Sequence, residues 1–303
     1  MSPPAVSVRG LRFAYPDGRV ALDGVDLDIG AGERVAVLGP NGAGKTTLAL
    51  HLNGIHAPQA GTVTIGGEPT TGDLAAIRRR VGLVFQDPDD QLFMPTVGDD
   101  VAFGPAHAGL RGTDLRGRVA SALDAVGMGG HAGTAPHHLS FGQRRRVAVA
   151  TVLASRPDVL VLDEPTANLD PAARRELTDV LAGLEVTLLV VTHDLPYAAE
   201  LCRRAVVLDA GRVVADGATG DLLADTDRLA AHRLFLPRGF DPRLVCGSAL
   251  TGTAATAAAA PARDAAGARR GGDRRDAVGR PPGPAAAARS PRRLTGPGRG
   301  AVA

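Results

Sequence analysis

Lys45 is the only lysine among 34 basic residues, and it lies in Gly39-Pro40-Asn41-Gly42-Ala43-Gly44-Lys45-Thr46. The segment satisfies GxxxxGK[ST]. In that spacing the glycines let backbone N–H groups turn inward around phosphates, and the lysine reaches the outermost ones. Arginine serves wherever else a positive charge is needed. The lone lysine therefore marks a place that takes a compact ammonium and not a planar guanidinium. The Thr46 hydroxyl is placed to bind Mg2+, and Thr47 opens a helix whose N-terminus favours anions. The plain structural alternative is a Gly-rich turn between a strand and a helix.

Two further groups of residues could act on a phosphate held there. Val159-Leu160-Val161-Leu162 ends in Asp163-Glu164-Pro165. Asp163 is expected to hold Mg2+, directly or through water, and Glu164 to polarise an attacking water as general base. Alternatively, the two acids only cap the following turn. The apolar run Val186 to Val191 ends in Thr192-His193-Asp194, where His193 is positioned to contact a terminal phosphate or to serve a structural role. Leu139-Ser140-Phe141-Gly142-Gln143 precedes the arginine-rich segment from Arg144 to Ala154. Ser140 and Gln143 have capping-box spacing, and an exposed helix start of this kind is also an anion site.

Regular elements must bring these residues together. Arg34–Leu38 and Val159–Leu162 read as short parallel strands buried on both faces, and ligands bind beyond the carboxyl ends of such strands. A helix is expected from Pro171 to Leu184, with Asp170 as N-cap and Pro171 at its first position. The resulting strand–helix–strand unit puts His193 at the sheet edge that carries Glu164. Val6–Tyr15, Leu22–Ile29 and Thr62–Ile65 read as strands, and Asp73–Arg80 and Asp114–Val126 as helices. Ala205–Leu208 and Arg212–Ala215 read as a hairpin.

Composition bounds the rest. Apolar residues make up 44% of the 303, enough for a substantial core, while aromatics are only 3%. Apolar stretches such as Val147–Ala154 fall short of the roughly 20 residues that span a bilayer. Met1-Ser2-Pro3-Pro4 lacks the basic flank and apolar run of a signal peptide. Cys202 and Cys246 suggest a reducing, cytoplasmic setting without a disulfide framework. From residue 240 onward 11 arginines face 4 aspartates, which leaves the first 239 residues at −5. Residues 1–239 are therefore expected to form the folded domain, with no affinity for nucleic acid by charge. The Ala/Arg/Gly/Pro-rich residues 240–303 are expected to be disordered.

Together these motifs resemble the nucleotide-binding domain of ABC ATPases, from about Val6 to Phe235. Residues 39–46 resemble Walker A, and Val159 to Glu164 resembles Walker B with its catalytic glutamate. Leu139–Gln143 is similar to the LSGGQ signature, with Phe141 in place of a glycine. Gln86 sits at the Q-loop position, Ala167-Asn168-Leu169-Asp170 resembles the D-loop, and His193 matches the switch histidine. Tyr15 is placed like the aromatic residue that stacks on adenine. The resemblance implies an α/β P-loop fold: a mostly parallel RecA-like sheet, an antiparallel β-subdomain and a helical subdomain. It implies ATP and Mg2+ as ligands, with Thr46, Gln86 and Asp163 around the metal. It also implies a head-to-tail homo- or heterodimer in which Ser140, Gly142 and Gln143 of one subunit close on ATP bound by the other.

The module occurs in importers, exporters, repair and chromosome proteins, and translation factors. Fused membrane helices, long coiled-coil or zinc insertions and a second phosphate loop are all missing from the sequence, which leaves a stand-alone importer ATPase at the cytoplasmic membrane face. The stretch Phe85 to Gly104 (with PDDQLF and DVAFGP) and Pro136-His137-His138-Leu139 are similar to the cobalt/nickel branch of energy-coupling-factor importers. That resemblance implies a transmembrane coupling subunit and a substrate-binding membrane subunit as partners. Leu92, Phe93 and Met94 are then an apolar patch for docking, or else subdomain core. His137 and His138 have no third ligand at useful spacing and are read as local packing. A vitamin importer is the alternative within the class. An ABC regulator anchored to ribosomes or nucleic acid by its arginine-rich tail is the alternative outside it.

Overall fold

The computed structural model describes residues 3–247 and residue 249. Strands β1 (Val6–Ala14) and β2 (Val20–Ile29) form a hairpin through Pro16-Asp17-Gly18, closed by Tyr15 N–H donating to Arg19 O at 2.9 Å. Then come β3 (Arg34–Leu38), α1 (Lys45–Leu52), β4 (Ala60–Ile65), β5 (Glu68–Pro69), α2 (Leu74–Arg80) and β6 (Val81–Val84). Helices α3 (Val97–His107), α4 (Gly112–Ala125) and α5 (Phe141–Leu153) follow, and β7 (Val159–Asp163), α6 (Pro171–Ala182) and β8 (Thr187–Val191) return the chain to the sheet. The described part ends with α7 (Leu195–Leu201), β9 (Arg204–Asp209), β10 (Arg212–Ala218), α8 (Thr219–Ala224), α9 (Thr226–Ala231) and α10 (Pro242–Val245).

Two sheets result: an antiparallel one ordered β2-β1-β4-β5, and a six-stranded one ordered β10-β9-β3-β8-β7-β6. In the larger sheet β9, β3, β8, β7 and β6 are parallel, and β10 pairs antiparallel at the edge. Its central strands are short, and apart from Arg34, Asp163 and Thr187 at their ends they are apolar, because both faces are covered. Ala36, Leu38, Leu160, Leu162, Leu188 and Val190 join one core with α5, α6 and α7. The alternate residues Val35, Val37, Val159, Val161, Leu189 and Val191 join a second core with α1 and the antiparallel sheet. This is the period-two alternation of a strand, with both sides buried.

The expected elements are present with shifted ends. Helix α6 stops at Ala182, short of Leu184, with Gly183 as its C-cap, and the Arg34 guanidinium satisfies the carbonyls left at that end, donating to Leu181 O (2.8 Å), Ala182 O (2.9 Å) and, just beyond the helix, Leu184 O (2.6 Å). Helix α3 is an addition to the expected set; its N-cap Thr96 accepts from Asp99 N–H at 3.2 Å. Past residue 239 the chain continues into α10, and Gly247 N–H donates to Ala199 O on α7 at 2.7 Å. The rest of the segment expected to be disordered lies outside the described residues. Both cysteines are free thiols, and among the described residues no helix is long and apolar enough to cross a membrane.

Candidate active site

The loop between β3 and α1 depends on glycine at two points. A Cβ on Gly39 would stand 2.1 Å from Leu208 O, and one on Gly44 (φ +102°) 2.3 Å from Ala21 O. Gly44 is the N-cap of α1 and offers no side chain to its first turn. The first N–H groups of the helix therefore remain for an anion. Lys45 is buried and folds back along the loop, donating from Nζ to Gly39 O (2.8 Å) and Pro40 O (3.1 Å). Burial pushes its pKa down, opposed by the Glu164 and Asp163 carboxylates.

Strand β7 delivers the two acids. The Thr46 hydroxyl donates to Asp163 Oδ2 at 2.7 Å, while the buried Oδ1 of the same carboxylate has no hydrogen-bond partner. Burial pushes the Asp163 carboxyl above its ordinary value, the Thr46 bond opposes this, and Glu164 adds to the rise. A hydroxyl and a half-satisfied carboxylate side by side are hard oxygen donors with a vacant acceptor position. They fit a Mg2+ ion that keeps most of its waters. Glu164 N–H donates to Val191 O at 2.8 Å, but its φ of 45° lies in the left-handed region, a conformation that costs a non-glycine residue energy and clusters at functional sites. Its buried carboxylate accepts from Thr192 Oγ1 (3.1 Å) and, weakly, from His193 N–H (3.4 Å). His193 Nδ1 lies 2.8 Å from Glu164 Oε1, which requires the ring proton on Nδ1.

Tyr15, the loop from Asn41 to Thr47, Gln86, Glu164 and His193 line one cleft of about 290 Å³. Gly39 and Pro40 supply the carbonyls beneath Lys45, and Asp163 adjoins the cleft through Thr46. Tyr15 stands at the rim with its hydroxyl 3.0 Å from Thr47 Oγ1 and its ring edge-to-face with Phe13 at 5.2 Å. Arg19, Val20 and Ala21 also line the cleft and were missed. Their signal was the Pro16-Asp17-Gly18 turn, which folds β2 back beside Tyr15; Arg19 stacks over that ring at 5.0 Å.

Ser140, Gly142 and Gln143 do not line this cleft. They form the start of α5, where the expected capping box is present: Gln143 N–H donates to Ser140 Oγ at 3.2 Å and Ser140 N–H to Gln143 Oε1 at 2.9 Å. Gly142 is needed for packing, since a Cβ there would meet Ala173 Cβ at 2.7 Å. The Leu92–Met94 patch divides, with Leu92 in the core and Phe93 64% exposed. His137 and His138 are exposed and pack edge-to-face on each other at 4.3 Å. Among the described residues no cluster of three metal-ligating side chains occurs.

A parallel sheet, a glycine-lined anion loop at a helix start and paired acids at the end of β7 define a phosphate-loop nucleoside triphosphatase. Residues 22–167 match the family described as ABC transporter. A Streptomyces avermitilis protein assigned as an ABC transporter ATP-binding protein is 66% identical over 246 residues, 81% of this chain and 94% of the relative. The energy-coupling factor transporter ATP-binding protein EcfA of Methanothermobacter thermautotrophicus is 46% identical over 242 residues, 78% of each chain. Among solved structures, cbiO1 of Clostridium perfringens, part of the transporter complex cbiONQ, aligns with TM-score 0.68 and 37% identity over 78% of this chain and 97% of its own. A dimeric ATP-binding cassette in a post-hydrolysis state with ADP and Pi aligns with TM-score 0.64 and 29% identity, over 71% and 98%. The chain belongs to the ATP-binding proteins of ABC transporters, and its fold is that of their nucleotide-binding domain. It is an ATPase, similar to those of energy-coupling-factor transporters.

Proposed function

We propose that this chain powers a membrane importer of the energy-coupling-factor type by hydrolysing ATP between two ATPase subunits. The observation that carries the hydrolytic part is the Glu164 carboxylate, buried, pinned by Thr192 and His193, and facing the same cleft as Lys45 and Thr46. Backbone N–H groups from Asn41 to Thr47 cradle the phosphates, and Lys45 turns from its loop carbonyls to the β/γ-phosphates. Tyr15 stacks on the base. Thr46, Asp163 and Gln86 hold Mg2+, which when bound neutralises charge on the phosphate oxygens. Glu164 accepts a proton from the attacking water, while His193 donates through Nδ1 to hold the carboxylate and, when the ring is doubly protonated, through Nε2 to the terminal phosphate. Ser140, Gly142 and Gln143 act on the nucleotide of the second subunit. Their position outside their own chain's cleft supports that reading.

The transported substrate is cobalt or nickel in this proposal, supported by the Phe85–Gly104 and Pro136–Leu139 stretches. A vitamin is the second reading, because the ATPase itself does not touch the substrate. The partners are a polytopic coupling subunit and a small substrate-binding membrane subunit, on whose cytoplasmic face the chain sits peripherally. Exposed Phe93 beside the buried Leu92 suits that docking. Affinity isolation from native membranes in mild detergent, followed by mass spectrometry, tests the proposal. Recovery of those two membrane proteins supports it, and the smaller one names the substrate. Recovery with ribosomes or nucleic acid overturns the transport role and leaves the ATPase standing.

A further inference from the structure

Arg145 is fully buried, with no exposed surface. One terminal nitrogen donates to Phe85 O at 2.7 Å and the other to Gln86 O at 2.5 Å. These carbonyls belong to the two peptide groups that flank the Cα of Gln86. With both peptide planes held, the direction in which the Gln86 side chain leaves the backbone is fixed. A planar guanidinium gives each carbonyl its own N–H from a separate nitrogen in a fixed fork, whereas an ammonium reaches two carbonyls only from one point, as Lys45 does for Gly39 O and Pro40 O.

The rest of the loop is tied to the same helix by weaker means. Gln91 accepts from Phe85 N–H at 3.3 Å and donates to Ala148 O (2.8 Å) and Thr151 Oγ1 (2.7 Å), while Arg144 pairs with Asp89 at 3.1 Å. The neutral amide of Gln91 already anchors the loop. A buried cation is an unfavourable way to add one more anchor, since its desolvation must be offset before any partner is counted. The Arg145 guanidinium also lies 5.4 Å from the ring of Phe141, next to the Ser140 cap. One side chain thus contacts the backbone that aims Gln86 and the segment that carries Ser140, Gly142 and Gln143.

We propose that Arg145 is a positioning residue that locks Gln86 to the first turn of α5, so that this glutamine and the 139–143 segment move as one piece. The proposal rests on the assignment of Gln86 to the Mg2+–nucleotide site made above. Arg145 acts through Gln86 and touches neither nucleotide nor metal.

The test uses the full chain and equilibrium binding of a fluorescent, non-hydrolysable ATP analogue, titrated with Mg2+, in wild type, Arg145→Lys, Arg145→Gln, Gln86→Ala and Arg145→Lys/Gln86→Ala. Arg145→Lys keeps the cation and most of the stem, so the fold is retained, and unchanged binding of the analogue without Mg2+ verifies this. Both Arg145 variants are expected to raise the half-saturating Mg2+ concentration by about 10-fold, the scale on which supports of a metal ligand act. Gln86→Ala raises it at least as far, and Arg145→Lys adds nothing in the Gln86→Ala background. Two outcomes overturn the proposal with the Gln86 assignment intact: Gln86→Ala shifts the Mg2+ requirement and Arg145→Lys does not, or the two shifts multiply, as they do for independent sites. If Gln86→Ala leaves the requirement unchanged, the Gln86 assignment falls and the proposal falls with it.

Discussion

Replacing Glu164 by glutamine separates the base from everything else that residue does. The side chain keeps its shape and the backbone keeps its bond to Val191 O. His193 Nδ1 retains an oxygen to donate to at the Oε1 position. At the Oε2 position an amide replaces an oxygen that accepts from Thr192 Oγ1 at 3.1 Å and His193 N–H at 3.4 Å. The hydroxyl can rotate to accept, so what is lost is one long bond to His193 N–H, about 1 kcal/mol. The fold survives with a small drop in Tm. Catalysis does not, because a general base contributes about 10²- to 10⁴-fold, or about 3–5 kcal/mol of barrier. ATP affinity holds or rises, since a negative charge beside the terminal phosphate has been removed. Single-turnover hydrolysis should fall by at least about 100-fold, and ATP with Mg2+ should convert the variant to a stable dimer on a sizing column. Turnover within about tenfold of wild type would refute the base assignment and leave Glu164 a structural acid.

Gly39→Ala places a Cβ 2.1 Å from Leu208 O, so β9 must move; the expected cost is about 1–3 kcal/mol in thermal melts, with ATP binding lost. Asp163→Asn keeps an oxygen for Thr46 but removes a carboxylate whose folded pKa is raised, chiefly by burial. The ionised carboxylate therefore destabilises the fold above its folded pKa, and that penalty fades as pH falls toward the unfolded value. Nucleotide-free Asp163→Asn should thus melt above wild type at pH 7.5, with the gap closing in acid, while Mg2+-dependent hydrolysis is abolished. Ser140→Ala removes the cap of α5, costing about 1 kcal/mol, and because Ser140 lies outside its own chain's cleft it should leave ATP binding intact while ATP-driven dimerisation measured by light scattering is lost.

The site was legible where chemistry restricts residue type over a short span. Residues 39–46 must provide inward-facing amides, so their glycines are written into the sequence, and the contacts at Gly39 and Gly44 give the physical reason. The strands β7 and β8 were legible from the apolar runs Val159–Leu162 and Leu188–Val191 because both faces are buried, and the Asp170 cap of α6 was legible because its carboxylate accepts from Ala172 and Ala173 N–H, both at 2.9 Å. Less could be read where position depends on distant contacts. Arg19 reaches the cleft only because a tight turn folds β2 against Tyr15. Helix α3 carries Gly98, Gly104 and Pro105, poor helix formers, and its identity comes from packing of Val97 and Val101 into the core.

The arginine run after the 139–143 segment is the instructive failure. Three consecutive cations follow directly on the first turn of α5, and that turn holds no acid to complement the helix dipole. Composition offers a bland account, since arginine is the default cation throughout the sequence. The contacts assign each one separately: Arg144 to Asp89 at 3.1 Å, Arg146 to Glu176 at 3.1 Å, and Arg145 to the backbone on either side of Gln86. A helix start without a complementing acid, followed at once by three cations, is a local conflict of the kind tolerated where function demands it. The loop that carries Gln86 and the helix that carries Ser140 are thereby joined through two ion-paired or charge-assisted links. Any rearrangement that re-aims one of them must either carry the other along or break a buried guanidinium free of both its carbonyls, which is the more costly course.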